Sequence, residues 1–134
     1  MIDIEQDVID LLIEALRAEY GKNIWITDED PNGSTKMPCV TIRQLDNTSV
    51  VTTQDSGSND NHATITFQID AFSNKSKGRK EQAKAIMNIV DDVFNGIGFT
   101  RIGSTPTSMN DATVCRIINR YIAVVSKDNV IYRR

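Results

Sequence analysis

Residues 62–99 constrain this chain more than any other stretch: an alternating strand pattern runs almost directly into an amphipathic helix pattern that ends on glycine. From His62 to Phe72, Ile65, Phe67, Ile69 and Ala71 fall on one face, with Thr64, Thr66, Gln68 and Asp70 on the other. Successive side chains of a strand point to opposite sides, so the pattern predicts one dry face and one wet face. A polar break at 73–78 follows. Ala83, Ile86, Met87, Val90, Val93, Phe94 and Ile97 then recur at three- and four-residue spacing, the stripe of a helix. Lys80, Lys84, Asn88, Asp91, Asp92 and Asn95 cover its other side, and Gly96 and Gly98 supply the left-handed residue that ends helices. Fully burying one aliphatic or aromatic side chain is worth about 1.5–3 kcal/mol. Seven of them laid on one strand surface make a core.

The remaining elements are arranged around this unit. Residues 3–20 read as a first helix, with Asp3 as N-cap, Gln6 completing a capping box, and a stripe of Ile4, Val8, Leu11, Leu12, Ala15 and Leu16. Ile9 and Ile13 fall off that stripe, so either the buried arc is wide or a second surface is covered. Gly21 stops the helix. Short strands are expected at 24–26 and 39–45, the second entered through Pro38. Residues 46–61 have little core character and exceed the usual connection length, which marks a functional arm, a mobile loop or a hairpin projecting from the sheet, with disorder without function as the plain alternative. Residues 99–102 begin another strand, interrupted at Gly103. Residues 113–125 alternate over a long strand with apolar residues in both sets, as a central strand does, and 130–132 pair back as a hairpin. The fold class expected is α+β: a mostly antiparallel β-sheet with two main α-helices packed on one face, all in a single domain spanning 1–134.

Composition narrows the function by exclusion. With 134 residues, 40% of them hydrophobic and 25% charged, the chain resembles an ordinary soluble globule. No run reaches the 18 or so apolar residues of a membrane helix, and the acidic start is unlike a secretory leader. Two cysteines, Cys39 and Cys115, lie in strand-like segments and are expected as buried free thiols. Asp28, Asp30, Asn32 and Gly33 match the opening of a calcium loop, but Cys39 stands where its bidentate Glu belongs, so a polar turn is the better reading. Asp91 and Asp92 are adjacent on a helix and diverge by about 100°. His62 is the only histidine, too few for a zinc site with two separated cysteines. No phosphate loop, paired-cysteine motif or nucleophile elbow occurs. No enzyme activity and no cofactor are expected.

Charge is distributed unevenly. Residues 1–67 hold 4 Lys/Arg and 12 Asp/Glu, a balance of −8, whereas residues 68–134 hold 11 and 6, a balance of +5. Such polarity suits a charged partner, the two halves facing each other, or an acidic flank meeting a basic flank of the next subunit. Lys75, Lys77, Arg79, Lys80 and Lys84 cluster at the start of the second helix, where positive charge opposes the helix dipole. A solvated face is the simplest use for them, and a phosphate backbone or an acidic neighbour the others. The chain has neither the stacking aromatics nor the basic balance usual in nucleic-acid proteins. Val50 and Val51, with Gln54 and Asp55 on the same arm, and Tyr132, Arg133 and Arg134 on the closing edge complete the candidate contact residues, together with the cations at 75–80.

Particular pieces of this sequence resemble the tail-terminator proteins (tail-completion, or head–tail joining, proteins) of long-tailed bacteriophages. They are MPCVTI at 37–42 after an N-terminal helix, FQIDAF at 67–72 before a short polar break and the helix at 82–94, Gly98 and Phe99 opening the next strand, and Arg120 and Tyr121 in the long strand before the hairpin. The resemblance covers most of the chain; residues 46–61 have no match to carry over. It implies a virion protein of the tail and neck, assembled in the bacterial host cytoplasm. Subunits would form a homo-oligomeric, hexameric ring that caps the tail tube, ends its polymerisation and joins it to the head connector. DNA would pass through the lumen without sequence-specific binding, and no membrane would be involved. The alternatives are another head-closure or tail-tube component, and a small nucleic-acid-binding accessory domain using the 75–84 cluster.

Overall fold

The computed structural model describes residues 4–27, 38–49, 62–75, 77–107, 114–126 and 131–132. In chain order these form α1 (Glu5–Tyr20), a 3-10 turn (Gly21–Asn23), β1 (Trp25–Thr27), β2 (Cys39–Ser49), β3 (His62–Ser73), α2 (Arg79–Ile97), β4 (Thr100–Thr107), β5 (Cys115–Ser126) and β6 (Ile131–Tyr132). The strands make one sheet in the order β1-β2-β3-β5-β4, with β6 paired to the far end of β5. Every pairing is antiparallel except β1 with β2. The fold is therefore α+β, a mostly antiparallel sheet with helices packed against it.

Register explains the core. Phe67 pairs with Gln44 and Tyr121, Ile69 with Ile42 and Asn119, and Ala71 with Val40 and Ile117. These residues share one face, and α1 and α2 lie on it. From α1 the buried residues are Val8, Leu12 and Leu16; from α2 they are Ala83, Ile86, Met87, Val90 and Phe94. The expected α2 stripe is found, with Val93 and Ile97 half-buried at its margin. At its centre Phe94 stacks on Tyr121, centroids 4.2 Å apart at 11°, and meets Phe67 at 5.8 Å and Phe99 at 5.2 Å. Gly98, at φ 99°, turns the chain out of α2. That left-handed geometry lets Phe99 N–H donate to the carbonyl of Phe94 at 2.9 Å and brings Phe99 back against the cluster.

Several sequence expectations are corrected. The N-cap of α1 is Ile4, without a side-chain cap hydrogen bond, and Asp3 lies outside the described residues. Leu11 is exposed rather than on the buried stripe. Gly96 lies within α2, leaving Gly98 alone as the terminator. Residues 46–49 are not loop but strand: β2 runs to Ser49, which pairs with Ala63, and the rest of the expected arm, 50–61, lies outside the described residues. A bulge at Leu45 shifts register between Gln44 and Asp46, so the strand continues although its periodicity breaks. β4 is likewise uninterrupted by Gly103. A register shift between Arg101 and Gly103 leaves Ile102 as the extra residue, and the strand runs to Thr107. Pro106, lacking an N–H, is tolerated because β4 is an edge.

Candidate interaction surfaces

The sheet face opposite the helices is closed by side chains instead. Arg43, Gln68 and Arg120 form one row across β2, β3 and β5, while Asp70 stands two residues along β3 on the same face. Asp70 is fully buried, beside buried Thr41, Cys39 and Phe72. Arg116 donates to Asp70 Oδ2 through Nε at 3.1 Å and through Nη2, and Arg43 Nη2 lies 3.5 Å from the same oxygen. Gln68 Nε2 donates to Oδ1 at 3.1 Å, and Arg120 Nε donates to Gln68 Oε1 at 3.1 Å. The Arg116 guanidinium also sits 5.2 Å from the centroid of the Phe72 ring. The arginine heads thus turn onto the buried polar groups of β3, while that of Arg116 also lies over an apolar ring. Both oxygens of Asp70 are committed to hydrogen bonds, so this carboxylate acts as a structural acceptor.

A second polar group lies beside the C-terminal half of α2. Asn119 Nδ2 donates to the Tyr121 hydroxyl at 2.9 Å, which donates in turn to Asp91 Oδ1 at 3.1 Å. Arg101 on β4 pairs with Asp91 at 3.5 Å. Burial, helped by the charge of Asp91, pushes the Tyr121 phenol above its ordinary value. The hydroxyl is held protonated as a fixed donor. Asp91, Asn95, Phe99, Thr100, Arg101 and Tyr121 line a pocket of about 280 Å³ there.

Cys39 and Cys115 are free thiols, Cys39 buried as expected but Cys115 only half-buried. They lie on opposite sheet faces, since Cys39 shares the side of Phe72 and Arg116 while Cys115 pairs with Ser73. Burial pushes the Cys39 thiol from 9.0 up to about 11, which suppresses the reactive thiolate at neutral pH. This raised value stabilises the fold fully below pH 9, and the contribution is lost between pH 9 and 11 as unfolded chains ionise first. We expect the unfolding free energy from urea titrations to fall over that interval by an amount on the order of 2 kcal/mol, and Cys39→Ala to flatten the fall. Equal slopes in both proteins would show that Cys39 is not the cause.

The sequence-selected contact residues divide into two groups. Lys75, Lys77, Lys80 and Lys84 are exposed and Arg79 is half-buried around the start of α2, and none of them forms an ion pair among the described residues. Tyr132 pairs through β6 with Val124. Val50, Val51, Gln54, Asp55, Arg133 and Arg134 lie outside the described residues, as does the turn at 28–33. Two features escaped sequence reasoning: the Asp70 network and the Tyr121–Asp91–Arg101 chain. A third, a groove of about 300 Å³ lined by Ile9, Ile13, Ile26, Thr27 and Ile42, had a signal in the two isoleucines off the α1 stripe.

Among the described residues no three His, Cys, Asp or Glu side chains converge as metal ligands, and no helix is long and apolar enough to cross a membrane. Comparison with protein-family models and with curated proteins finds no match.

Proposed function

We propose that this chain is a ring-forming structural protein of a long-tailed bacteriophage, capping the tail tube, ending its polymerisation and joining it to the head connector. One observation carries the reading. The pieces that resemble tail terminators are scattered in sequence but adjacent in the sheet: residues 39–42 pair with 69–72, Phe67 pairs with Tyr121, and Phe99 packs on Phe67 at 5.8 Å. The resemblance thus rests on one contiguous piece of fold. Two chemically different edges, β1 and β4, suit the head-to-tail contacts a ring requires.

The deciding experiment adds purified chain to polymerising tail tubes. The expected result is tubes of arrested length carrying one ring at an end. Tubes that elongate as before, or chain incorporated along their length, would overturn the reading. A nucleic-acid role is favoured only by the exposed cations at 75–84. It predicts DNA binding whose affinity falls steeply with salt, by about one power of salt concentration per phosphate contacted.

A further inference from the structure

We propose that the groove between α1 and the β1 edge receives the β4 bulge of a second copy of this chain, with Ile102 as the inserted residue. The inference rests on the ring-forming reading and names the surfaces by which subunits would meet. The groove is apolar, lined by Ile9, Ile13 and Ile26 with Thr27 and Ile42, and lies at one end of the strand order. At the other end, Ile102 is the extra residue of a bulge and is 55% exposed, the most exposed large hydrophobic side chain among the described residues. A bulge and Pro106 blunt β4 for backbone pairing, so side-chain docking is the mode its edge permits.

Charge is complementary across the same two edges. Asp10 and Glu14 are exposed, one turn apart on α1, and adjacent in sequence to the groove residues Ile9 and Ile13. Asp91 identifies the flank of α2 that faces β4, because it bonds Tyr121 and pairs with Arg101. Lys84 and Lys80 stand about two and about three turns before Asp91, on that same flank. Neither these lysines nor Asp10 and Glu14 have an ion-pair partner among the described residues. An acidic row on α1 beside the groove is therefore complementary to a basic row on the α2 flank that faces β4, which begins about two turns along the helix from the level of Arg101. The two patches lie on opposite edges of one subunit, four strand spacings or roughly 19 Å apart. A subunit cannot satisfy both patches itself, and the contact is heterologous, propagating from copy to copy.

The test is self-association measured by sedimentation equilibrium at low and high salt, with folding checked by circular dichroism. Ile102→Asp is expected to weaken association at least about tenfold. So are the reversals Lys80→Glu with Lys84→Glu, and Asp10→Lys with Glu14→Lys. The chain carrying all four reversals should recover association, a result that mere surface damage would not give. Association unchanged by these variants would overturn the proposed interface and leave ring formation to another surface. A wild-type chain that stays monomeric at all concentrations and salts overturns the interface; tube arrest by that same chain would still support the capping role.

Discussion

Replacing Phe94 with alanine is expected to lower unfolding free energy by about 3–5 kcal/mol, the usual cost of deleting a buried phenylalanine. The position favours the upper part of that range. Phe94 is fully buried and touches three other rings: Tyr121 stacked beneath it, and Phe67 and Phe99 tilted against its edge. Aromatic pairs of this geometry add about 0.5–1.5 kcal/mol beyond area burial. The void could not close easily either. Tyr121 is tied by its hydroxyl to Asp91 and Asn119, and Phe99 is fixed by the glycine turn and its bond to the Phe94 carbonyl. Against a total stability of about 5–15 kcal/mol for a typical domain, the variant would be near its limit. Phe94→Leu should cost roughly half as much. Urea unfolding followed by tyrosine fluorescence measures both, and a loss below about 1 kcal/mol for the alanine variant would mean that the four rings do not share one cluster.

That cluster was half legible in the sequence. The four-residue spacing of Ile86, Val90 and Phe94 and the alternation of Ile65, Phe67 and Ile69 are local signals, and both elements formed as they indicated. Which aromatic meets which depended on register, since Phe67 and Tyr121 are distant in sequence and become partners only through the β3–β5 pairing. The same limit explains Asp70. Alternation assigned it to the wet face, correctly as to side, yet it is buried because Arg43 and Arg116 arrive from two other strands. Nothing near Asp70 in sequence announces them. The bulges at Leu45 and Ile102 each insert one residue and reverse the parity that strand reading relies on, which is why β2 and β4 looked shorter than they are. Ile9 and Ile13 were a true signal with two readings. The isoleucine on β1 and the one on β2 resolved them into a groove at the sheet edge.

Arg116→Met is the second substitution with a large expected effect, about 3 kcal/mol of lost stability. Methionine keeps an apolar stem near Phe72 but removes the guanidinium that donates twice to a fully buried carboxylate. The remaining cation, Arg43, reaches Asp70 only at 3.5 Å and is itself about a third exposed. Removing one partner of a buried pair leaves the other charge uncompensated, which costs about 3–5 kcal/mol. The partial exposure of Arg116 puts this case at the low end. Arg116→Lys keeps the charge but loses the planar fork, so it should fall between wild type and Arg116→Met. Asp70→Asn combined with Arg116→Met removes both charges and is expected to recover much of the loss, giving a coupling energy of 1–3 kcal/mol or so in a double-mutant cycle. Additive single losses would show that Arg116 supports the sheet through its stem alone. A positive coupling would mean that this face, which carries no helix among the described residues, owes its closure to one buried carboxylate gathering arginines from neighbouring strands.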